Sequence, residues 1–169
     1  MCSAYRLEQQ ARCASLLIRK LQSDERDAVA EFYHTVWHET HAPLQDPRVA
    51  KWRGVAFFKS RLERWQNETL VAWIGSDIAG FASWHDTELE ALFIAPQHRS
   101  SGLGAKLLAA AENEMRKSDA KELSLDCVCA NIAARKFYER NGWRVMKTTE
   151  TPDVIHKDIS TQHWVMMKP

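Results

Sequence analysis

The sequence has no apolar run long enough to cross a bilayer, and residues 1–12 lack the apolar core of a signal peptide. It also has little net charge, because 23 basic residues balance 22 acidic ones and leave a formal charge of +1. This balance offers no electrostatic basis for binding nucleic acid or an anionic membrane surface. We therefore expect a cytoplasmic protein with no nucleic-acid and no membrane partner.

Cysteine is scarce, and the four cysteines do not have the spacing of a zinc site. Cys127 and Cys129 would share one face of a strand, where buried free thiols are favoured over a disulfide. His38 and His41 are spaced as a metal pair could be, but no clear third ligand accompanies them. The sequence therefore predicts no metal.

The hydrophobic fraction of 45% and the charged fraction of 27% are ordinary for a globular protein. No repeat, linker or low-complexity segment interrupts the chain, and 169 residues suffice for one sizeable core. We predict a flexible lead-in over residues 1–13 and a single domain over residues 14–169.

Apolar patterning predicts a strand, two helices, three strands, a helix, a strand, a helix and two strands. Asp24 offers a cap for the first helix, and the second is predicted from Pro47 to Trp65 with an interruption at Gly54. The last helix begins after Asn131. The strands are predicted at residues 15–20, 69–75, 78–84, 88–94, 122–128, 143–147 and 163–167. This mixed alternation indicates an α/β or α+β sheet with helices on both faces.

The most informative stretch is residues 92–108. An apolar run stopped by Pro96 predicts a strand, and leucines at helical spacing predict a following helix. Gly102 and Gly104 lie at the junction, where they allow backbone angles that a side chain would forbid. The helix directs unpaired N–H groups and its positive dipole end at one place, which suits a phosphate or pyrophosphate.

A glycine loop before a helix is equally consistent with an ordinary turn. The Rossmann fingerprint requires a further glycine that is absent here, and no Gly-Lys-Ser/Thr triplet forms a Walker loop. A phosphate- or nucleotide-binding protein that uses the same loop remains an alternative at this point.

Two motifs indicate a family. Arg99-x-x-Gly102-x-Gly104 resembles the acetyl-CoA loop, Arg/Gln-x-x-Gly-x-Gly/Ala, of the GCN5-related N-acetyltransferases (the GNAT superfamily). The segment from Asn131 to Trp143 resembles the family's Asn-x-x-Ala-x-x-Phe-Tyr-x-x-x-Gly-Phe pattern, with Trp in place of the final Phe. The resemblance covers the chain from about Ala14 onward. It implies the GNAT acyltransferase fold, a central and mostly antiparallel sheet with splayed middle strands and helices on both faces.

The resemblance also implies acetyl-CoA as co-substrate. Backbone N–H groups of residues 99–104 would cradle the pyrophosphate, the strand over residues 92–94 would pair with pantetheine, and Asn131 would contact the pantetheine arm while also capping its helix. The implied cofactor-binding residues are Leu92, Phe93, Ile94, Arg99, Ser100, Ser101, Gly102, Leu103, Gly104, Ala105, Asn131 and Tyr138.

The implied catalytic acid is Tyr138, which matches the family tyrosine that protonates the CoA sulfur. The alternative is that Phe137 and Tyr138 are an aromatic pair packed on the sheet.

Glu88 and Glu90 are the candidate general bases, with Glu90 preferred because it is nearer the cofactor strand. Their spacing places them on one strand face together with Leu92 and Ile94, where partial desolvation favours proton acceptance. The alternatives are that both are solvated at the strand end, or that no dedicated base exists, as in many relatives.

The acceptor site is implied less directly. In this family the loop between the first two helices helps to form it, which selects Trp37, His38 and Thr40, and the polar loop over residues 149–160 is a second wall. The implied function is direct acetyl transfer from acetyl-CoA to a primary amine of a small molecule or peptide, without an acyl-enzyme on Cys127. The alternative is a non-catalytic CoA-binding regulatory module. A homodimer through the final strands is compatible with both, although no residue specifies it.

Overall fold

The computed structural model describes residues 15–169, so the predicted lead-in over residues 1–13 lies outside the described part. The strands are β1 (Leu16–Lys20), β2 (Thr69–Ile74), β3 (Asp77–His85), β4 (Glu88–Ile94), β5 (Leu123–Val128), β6 (Arg144–Pro152) and β7 (Ser160–Lys168). The α-helices are α1 (Arg26–Thr40), α2 (Pro47–Trp52), α3 (Val55–Arg64), α4 (Leu103–Met115) and α5 (Ile132–Arg140). Over residues 15–169, no helix has the length and apolar character needed to cross a membrane.

The seven strands form one sheet in the order β1-β2-β3-β4-β5-β7-β6. The central pair, β4 and β5, is parallel, and all other neighbouring pairs are antiparallel. β4 and β5 pair only where they begin, Glu88 with Ser124 and Leu89 with Leu125. Beyond that point the two strands separate, although β4 continues to Ile94. The mixed sheet with splayed middle strands confirms the predicted fold class.

Helices cover both faces of this sheet, as the alternation of elements predicted. One apolar cluster lies beneath α4 and α5 and includes Leu107 and Trp143. The other lies between the sheet and helices α1 and α3, and includes Tyr33 and Phe58. β2 contributes alternate residues to the two clusters, which explains its unbroken apolar sequence.

The predicted second helix is two helices in the structure. α2 ends before Gly54, and this glycine has extended backbone angles and precedes the first turn of α3. Pro47 begins α2, and the side chain of Asp46 caps it by accepting a hydrogen bond from the Arg48 amide at 2.9 Å. The break turns the chain between α2 and α3 towards the sheet and brings Arg53 into the cavity described below.

The predicted polar loop over residues 149–160 is shorter than expected. β6 continues through Pro152, which pairs with Ser160 at the start of β7, so residues 153–159 form the connection. The sequence concealed this extension because the outer part of β6 is exposed and has no apolar alternation.

A β-bulge at Glu90 changes the faces that the side chains of β4 occupy. Residues 83 and 84 of β3 pair with residues 91 and 89 of β4, so Glu90 is an extra residue without a partner on β3. The prediction that Glu90 shares a face with Leu92 and Ile94 is therefore wrong. Those two residues pack against the cluster beneath α4, whereas Glu90 contacts Arg61 of α3 on the opposite side.

Candidate active site

A cavity of about 940 Å³ opens where β4 and β5 separate. The predicted site residues that line it are Trp37, Thr40, Glu90, Leu92, Phe93, Ile94, Arg99, Ser100, Gly102, Gly104, Ala105, Asn131 and Tyr138. The remaining predicted residues, His38, Glu88, Ser101 and Leu103, do not line it. Because β5 diverges, the backbone groups of residues 90–94 that face it have no strand partner, and this edge of β4 forms one wall.

The loop before α4 makes a tight turn through left-handed backbone. Gly102 has φ +83°, a conformation that glycine adopts without steric cost, and Ser100 has φ +61°. The Ser101 hydroxyl fixes the turn from outside the cavity, because it donates to the His98 carbonyl at 2.7 Å. Leu103, the first residue of α4, is buried in the core and does not line the cavity.

Gly104 lies in helical backbone and its lack of a side chain matters for packing rather than for its backbone angles, which corrects the sequence interpretation. It lies within α4, and a Cβ placed on it would be 3.3 Å from Cε2 of Phe137. Gly104 and Ala105 both line the cavity and belong to the first turn of α4, where backbone N–H groups have no acceptor within the helix. With the positive end of the helix dipole, these amides form a binding site for an anion.

Arg99 and Asn131 line the same cavity as this anion site. The Arg99 guanidinium donates from Nε to the Ile94 carbonyl at 3.2 Å and from Nη1 to Glu39 at 3.3 Å, which ties the loop to β4 and α1. The Asn131 side chain accepts a hydrogen bond from the Ala134 amide at 3.0 Å, so it caps α5 as predicted. The cap leaves the amide nitrogen of Asn131 free to contact a ligand in the cavity.

Tyr138 lies on the wall formed by α5. Its ring packs edge-on against Phe137 and Trp143, with centroid distances of 5.3 and 6.1 Å. The tyrosine therefore packs against aromatics and also lines the cavity, while its role as an acid stays a prediction. Among residues 15–169 its hydroxyl has no hydrogen-bond partner. Burial, reinforced by the neighbouring Cys127, raises the pKa of the Tyr138 phenol, which therefore stays protonated near neutral pH.

Cys127 also lines the cavity, and its chemistry argues against a nucleophilic role. Burial raises the pKa of this thiol to about 12, and Cys129 and Asp126 add to the shift. A thiol with so high a pKa is almost entirely protonated at neutral pH and is a poor nucleophile.

The two candidate bases occupy different environments. Glu90, on the bulge, lines the cavity and pairs with Arg61 at an Oε2–Nη2 distance of 3.3 Å. Glu88 is exposed and lies outside the cavity lining, yet partial desolvation and the nearby charges of Glu90 and Asp126 raise its pKa. Three carboxylates thus gather where the central strands separate.

The predicted acceptor residues on α1 differ in whether they line the cavity and whether their polar atoms are already hydrogen-bonded. Trp37 is buried and forms part of the cavity wall. The Thr40 hydroxyl donates to the Val36 carbonyl at 2.7 Å, so its polar atom is used within the helix. His38 lies outside the lining, and its Nε2 is 2.8 Å from the Arg53 carbonyl oxygen. His38 therefore holds the junction between α2 and α3 against α1.

Four polar residues of the acceptor end were missed by sequence reasoning: Tyr33, His41, Arg53 and Arg61, all of which line the cavity. Burial lowers the pKa of His41 to about 4, and the Arg53 charge adds to the shift, so this imidazole is neutral at pH 7. No local motif distinguishes these residues, because they come from three different elements. The loop over residues 153–159 supports them from outside, since Asp153 accepts from Arg53 at 2.6 Å.

Comparison with known proteins agrees with this geometry. The model of the acetyltransferase (GNAT) family matches residues 23–143, and the chain belongs to this family. It is 29% identical over 136 residues to an uncharacterized N-acetyltransferase, YhfO, of Bacillus subtilis, covering 75% of this chain and 88% of that protein. It is 25% identical over 156 residues to the spermidine N(1)-acetyltransferase of Thermoplasma acidophilum, covering 85% of this chain and 97% of the relative.

A solved structure shows the same fold. The PaiA N-acetyltransferase of Thermoplasma acidophilum, crystallised in complex with coenzyme A, superposes with a TM-score of 0.70 at 23% sequence identity. The match covers 91% of this chain and 98% of that protein. The family resemblance stated from the two sequence motifs is thereby confirmed.

Proposed function

We propose that this protein transfers the acetyl group of acetyl-CoA directly to a primary amine of a small molecule or peptide. The observation that supports this best is the arrangement of one continuous cavity. An anion site at the start of α4, an unpaired edge of β4, a protonated phenol and a carboxylate all line the same space. We further propose that the reaction uses no metal and that residues 14–169 form a single cytoplasmic domain.

The residues present fit acetyl-CoA. The amides at Gly104 and Ala105 would bind its pyrophosphate, with Gly102 permitting the close approach of the chain. The free backbone groups of residues 92–94 would pair with the amides of the pantetheine arm, and Asn131 would contact the same arm. Acetyl-CoA would supply an acetyl group activated as a thioester, and proximity in the cavity would provide much of the rate enhancement.

Two side chains would move the protons. Starting from the neutral amine, an N–C bond forms to the acetyl carbon as the C–S bond breaks. Glu90 would accept the proton that the amine nitrogen loses, directly or through a water. Tyr138 would donate a proton to the departing sulfur, for which a neutral phenol is suited. Glu90 is preferred to Glu88 as the base because it lines the cavity and Glu88 does not.

A pair of matched variants on α4 tests acetyl-CoA binding. Ala105→Asp places a carboxylate at the proposed pyrophosphate site, whereas Ala109→Asp places it one turn later on an exposed position of the same helix. An aspartate in a first helical turn stabilises the free helix by about 0.3–1 kcal/mol, so loss of binding would not reflect unfolding. Two like charges 4 Å apart near a surface repel by about 4 kcal/mol. We expect calorimetry to show at least tenfold weaker acetyl-CoA binding for Ala105→Asp and less than twofold change for Ala109→Asp.

Free-thiol release from acetyl-CoA over a panel of amines tests the reaction. The panel includes amino acids, short peptides, aminoglycosides and spermidine, which is named as the acceptor of one relative. Thiol release with any amine supports the enzyme. Tight acetyl-CoA binding without release over the whole panel would favour the non-catalytic CoA-binding module, and absence of binding would overturn the proposal.

A further inference from the structure

Two guanidinium groups dominate the acceptor end of the cavity. Arg53, at the end of α2, and Arg61, on α3, both line it. Their side chains are only 16% and 28% exposed, which is little for arginine. Arginines so strongly desolvated need partners for their charge and for their N–H groups.

Each guanidinium lies over two aromatic rings, one of which is the Phe57 ring that both share, and pairs with one carboxylate. The Cζ of Arg53 lies 4.9 Å from the Trp37 ring centroid, and its Nη2 donates to Asp153. The Cζ of Arg61 lies 4.4 Å from the Trp65 ring centroid, and its Nη2 donates to Glu90. Stacking and pairing of this kind fix the plane of a guanidinium before a ligand arrives.

Most of the hydrogen-bonding capacity of the pair is unused. A guanidinium has five N–H donors. Within residues 15–169, Nη2 is the one side-chain nitrogen of Arg53 and of Arg61 that forms a hydrogen bond, and the Nε of each is buried without a partner. Buried donors without partners are destabilising, so a bound group that accepts hydrogen bonds would stabilise this site.

The unused donors of the pair favour a ligand that accepts hydrogen bonds, although the charge of each arginine is balanced by one carboxylate. Glu90 and Asp126 line the cavity, whereas Asp153 is buried behind Arg53 and does not line it. His41 is neutral at pH 7. A polyamine would have to place its additional positive charges beside two arginines, which is unfavourable in so desolvated a site.

We propose that the acceptor is an amine that also carries a carboxylate, in the manner of a free amino acid, and that Arg53 and Arg61 bind this carboxylate. The inference rests on the proposed acetyltransferase function and names its substrate class. Arginine binds carboxylates through paired N–H donors, and two guanidinium groups beside the same Phe57 ring strengthen this preference. Because Arg61 and Glu90 are 3.3 Å apart, the amine and carboxylate of the acceptor must lie close together, as they do in an α-amino acid. The aromatic rings of Trp37 and Phe57 beside the pair favour an apolar side chain.

The test compares free L-amino acids with their primary amides, which keep the amine and remove the negative charge. We expect kcat/KM to be at least tenfold higher for the preferred amino acids, such as phenylalanine or methionine, than for their primary amides. The same difference is expected against two amines without a carboxylate, 2-phenylethylamine and spermidine. Equal or better use of amides, simple amines or spermidine would overturn the inference and leave the acetyltransferase proposal intact.

Variants on α3 test the residue assignment. Arg61→Gln is expected to raise the KM for the amino acid at least tenfold and to leave the KM for acetyl-CoA within twofold. The control Arg64→Gln changes an exposed arginine outside the cavity lining and is expected to leave both values within twofold. Arg53→Lys keeps a positive charge beside Asp153 but removes the planar guanidinium and its paired N–H donors. It therefore tests the guanidinium geometry without leaving that carboxylate unpaired.

Direct binding separates the two proposals if turnover is undetectable. Calorimetry with CoA present should detect amino-acid binding that the amide lacks and that Arg61→Gln weakens. Binding of acetyl-CoA without any binding or turnover of free amino acids would refute the acceptor inference. Failure to bind acetyl-CoA at all would instead refute the proposed function on which the inference rests.

Discussion

Tyr138→Phe removes one oxygen atom from the cavity wall and should separate catalysis from folding. The hydroxyl has no hydrogen-bond partner among residues 15–169, and the ring contacts with Phe137 and Trp143 would remain in the variant. The free energy of unfolding should therefore change by less than about 0.5 kcal/mol. In a domain of this size such a change shifts the melting temperature by about 2 °C or less.

The rate should respond much more strongly than the stability. A positioned general acid contributes about 10²–10⁴-fold, so we expect kcat to fall about 100-fold, equivalent to about 2.7 kcal/mol in the barrier. The KM for acetyl-CoA should stay within threefold, since the hydroxyl would act on the departing sulfur and not on the bound ground state. Because the pKa of the phenol is raised, the wild-type rate should show no loss attributable to Tyr138 up to pH 10.

The assay is steady-state thiol release with the preferred amine, combined with thermal unfolding of both proteins. A variant that keeps full kcat at unchanged stability would refute the role of the hydroxyl as acid. A variant that loses activity together with several degrees of melting temperature would show instead that the hydroxyl supports the fold. The second result alone would also contradict the unpartnered position of the hydroxyl described here.

Three further predictions concern separate parts of the molecule. Glu90→Gln should lower kcat at least tenfold, and Glu88→Gln by a clearly smaller factor; equal losses would contradict the choice of base. Glu112→Leu leaves the buried indole N–H of Trp143 without its 2.8 Å acceptor and should cost about 2 kcal/mol in urea unfolding, whereas Glu112→Gln retains an acceptor and should cost less. With a pKa of about 12, Cys127 is ionised in about one molecule in ten thousand at pH 8, so intact-mass analysis after mixing with acetyl-CoA should find no acetylated cysteine. Stoichiometric acetylation of Cys127 would argue for an acyl-enzyme.

The order of elements was predictable because each element is encoded by the periodicity of its own residues. The predicted element boundaries that were wrong have a physical explanation. Gly54 divides the second helix because it starts α3 from an extended backbone. The outer part of β6 has no apolar alternation because both of its faces are largely exposed, and pairing with β7 holds it in the sheet. Neither feature leaves a local pattern of hydrophobic residues.

The candidate site was predictable to a lesser extent. Its cofactor end is contained in two short motifs, so Gly102, Asn131 and Tyr138 were predicted as site residues from sequence and all line the cavity. The acceptor end was not predictable, because Arg53 and Arg61 belong to no motif and meet Glu90 only after α3 packs across β4. Their burial and unused donors are properties of that packing.

The sequence by itself determined the glycine loop, the capped helix that carries the tyrosine, and the family to which the chain belongs, since adjacent residues encode each of these. The direction in which Glu90 faces and the packing at Gly104 depend on the tertiary structure. A single inserted residue at Glu90 turns that carboxylate towards α3, whereas Leu92 and Ile94 pack on the opposite face of the sheet. At Gly104 a side chain would press against Phe137 of α5, so this glycine matters for packing and not for its own backbone angles. Such effects depend on contacts between residues distant along the chain, which no local pattern of amino acids specifies.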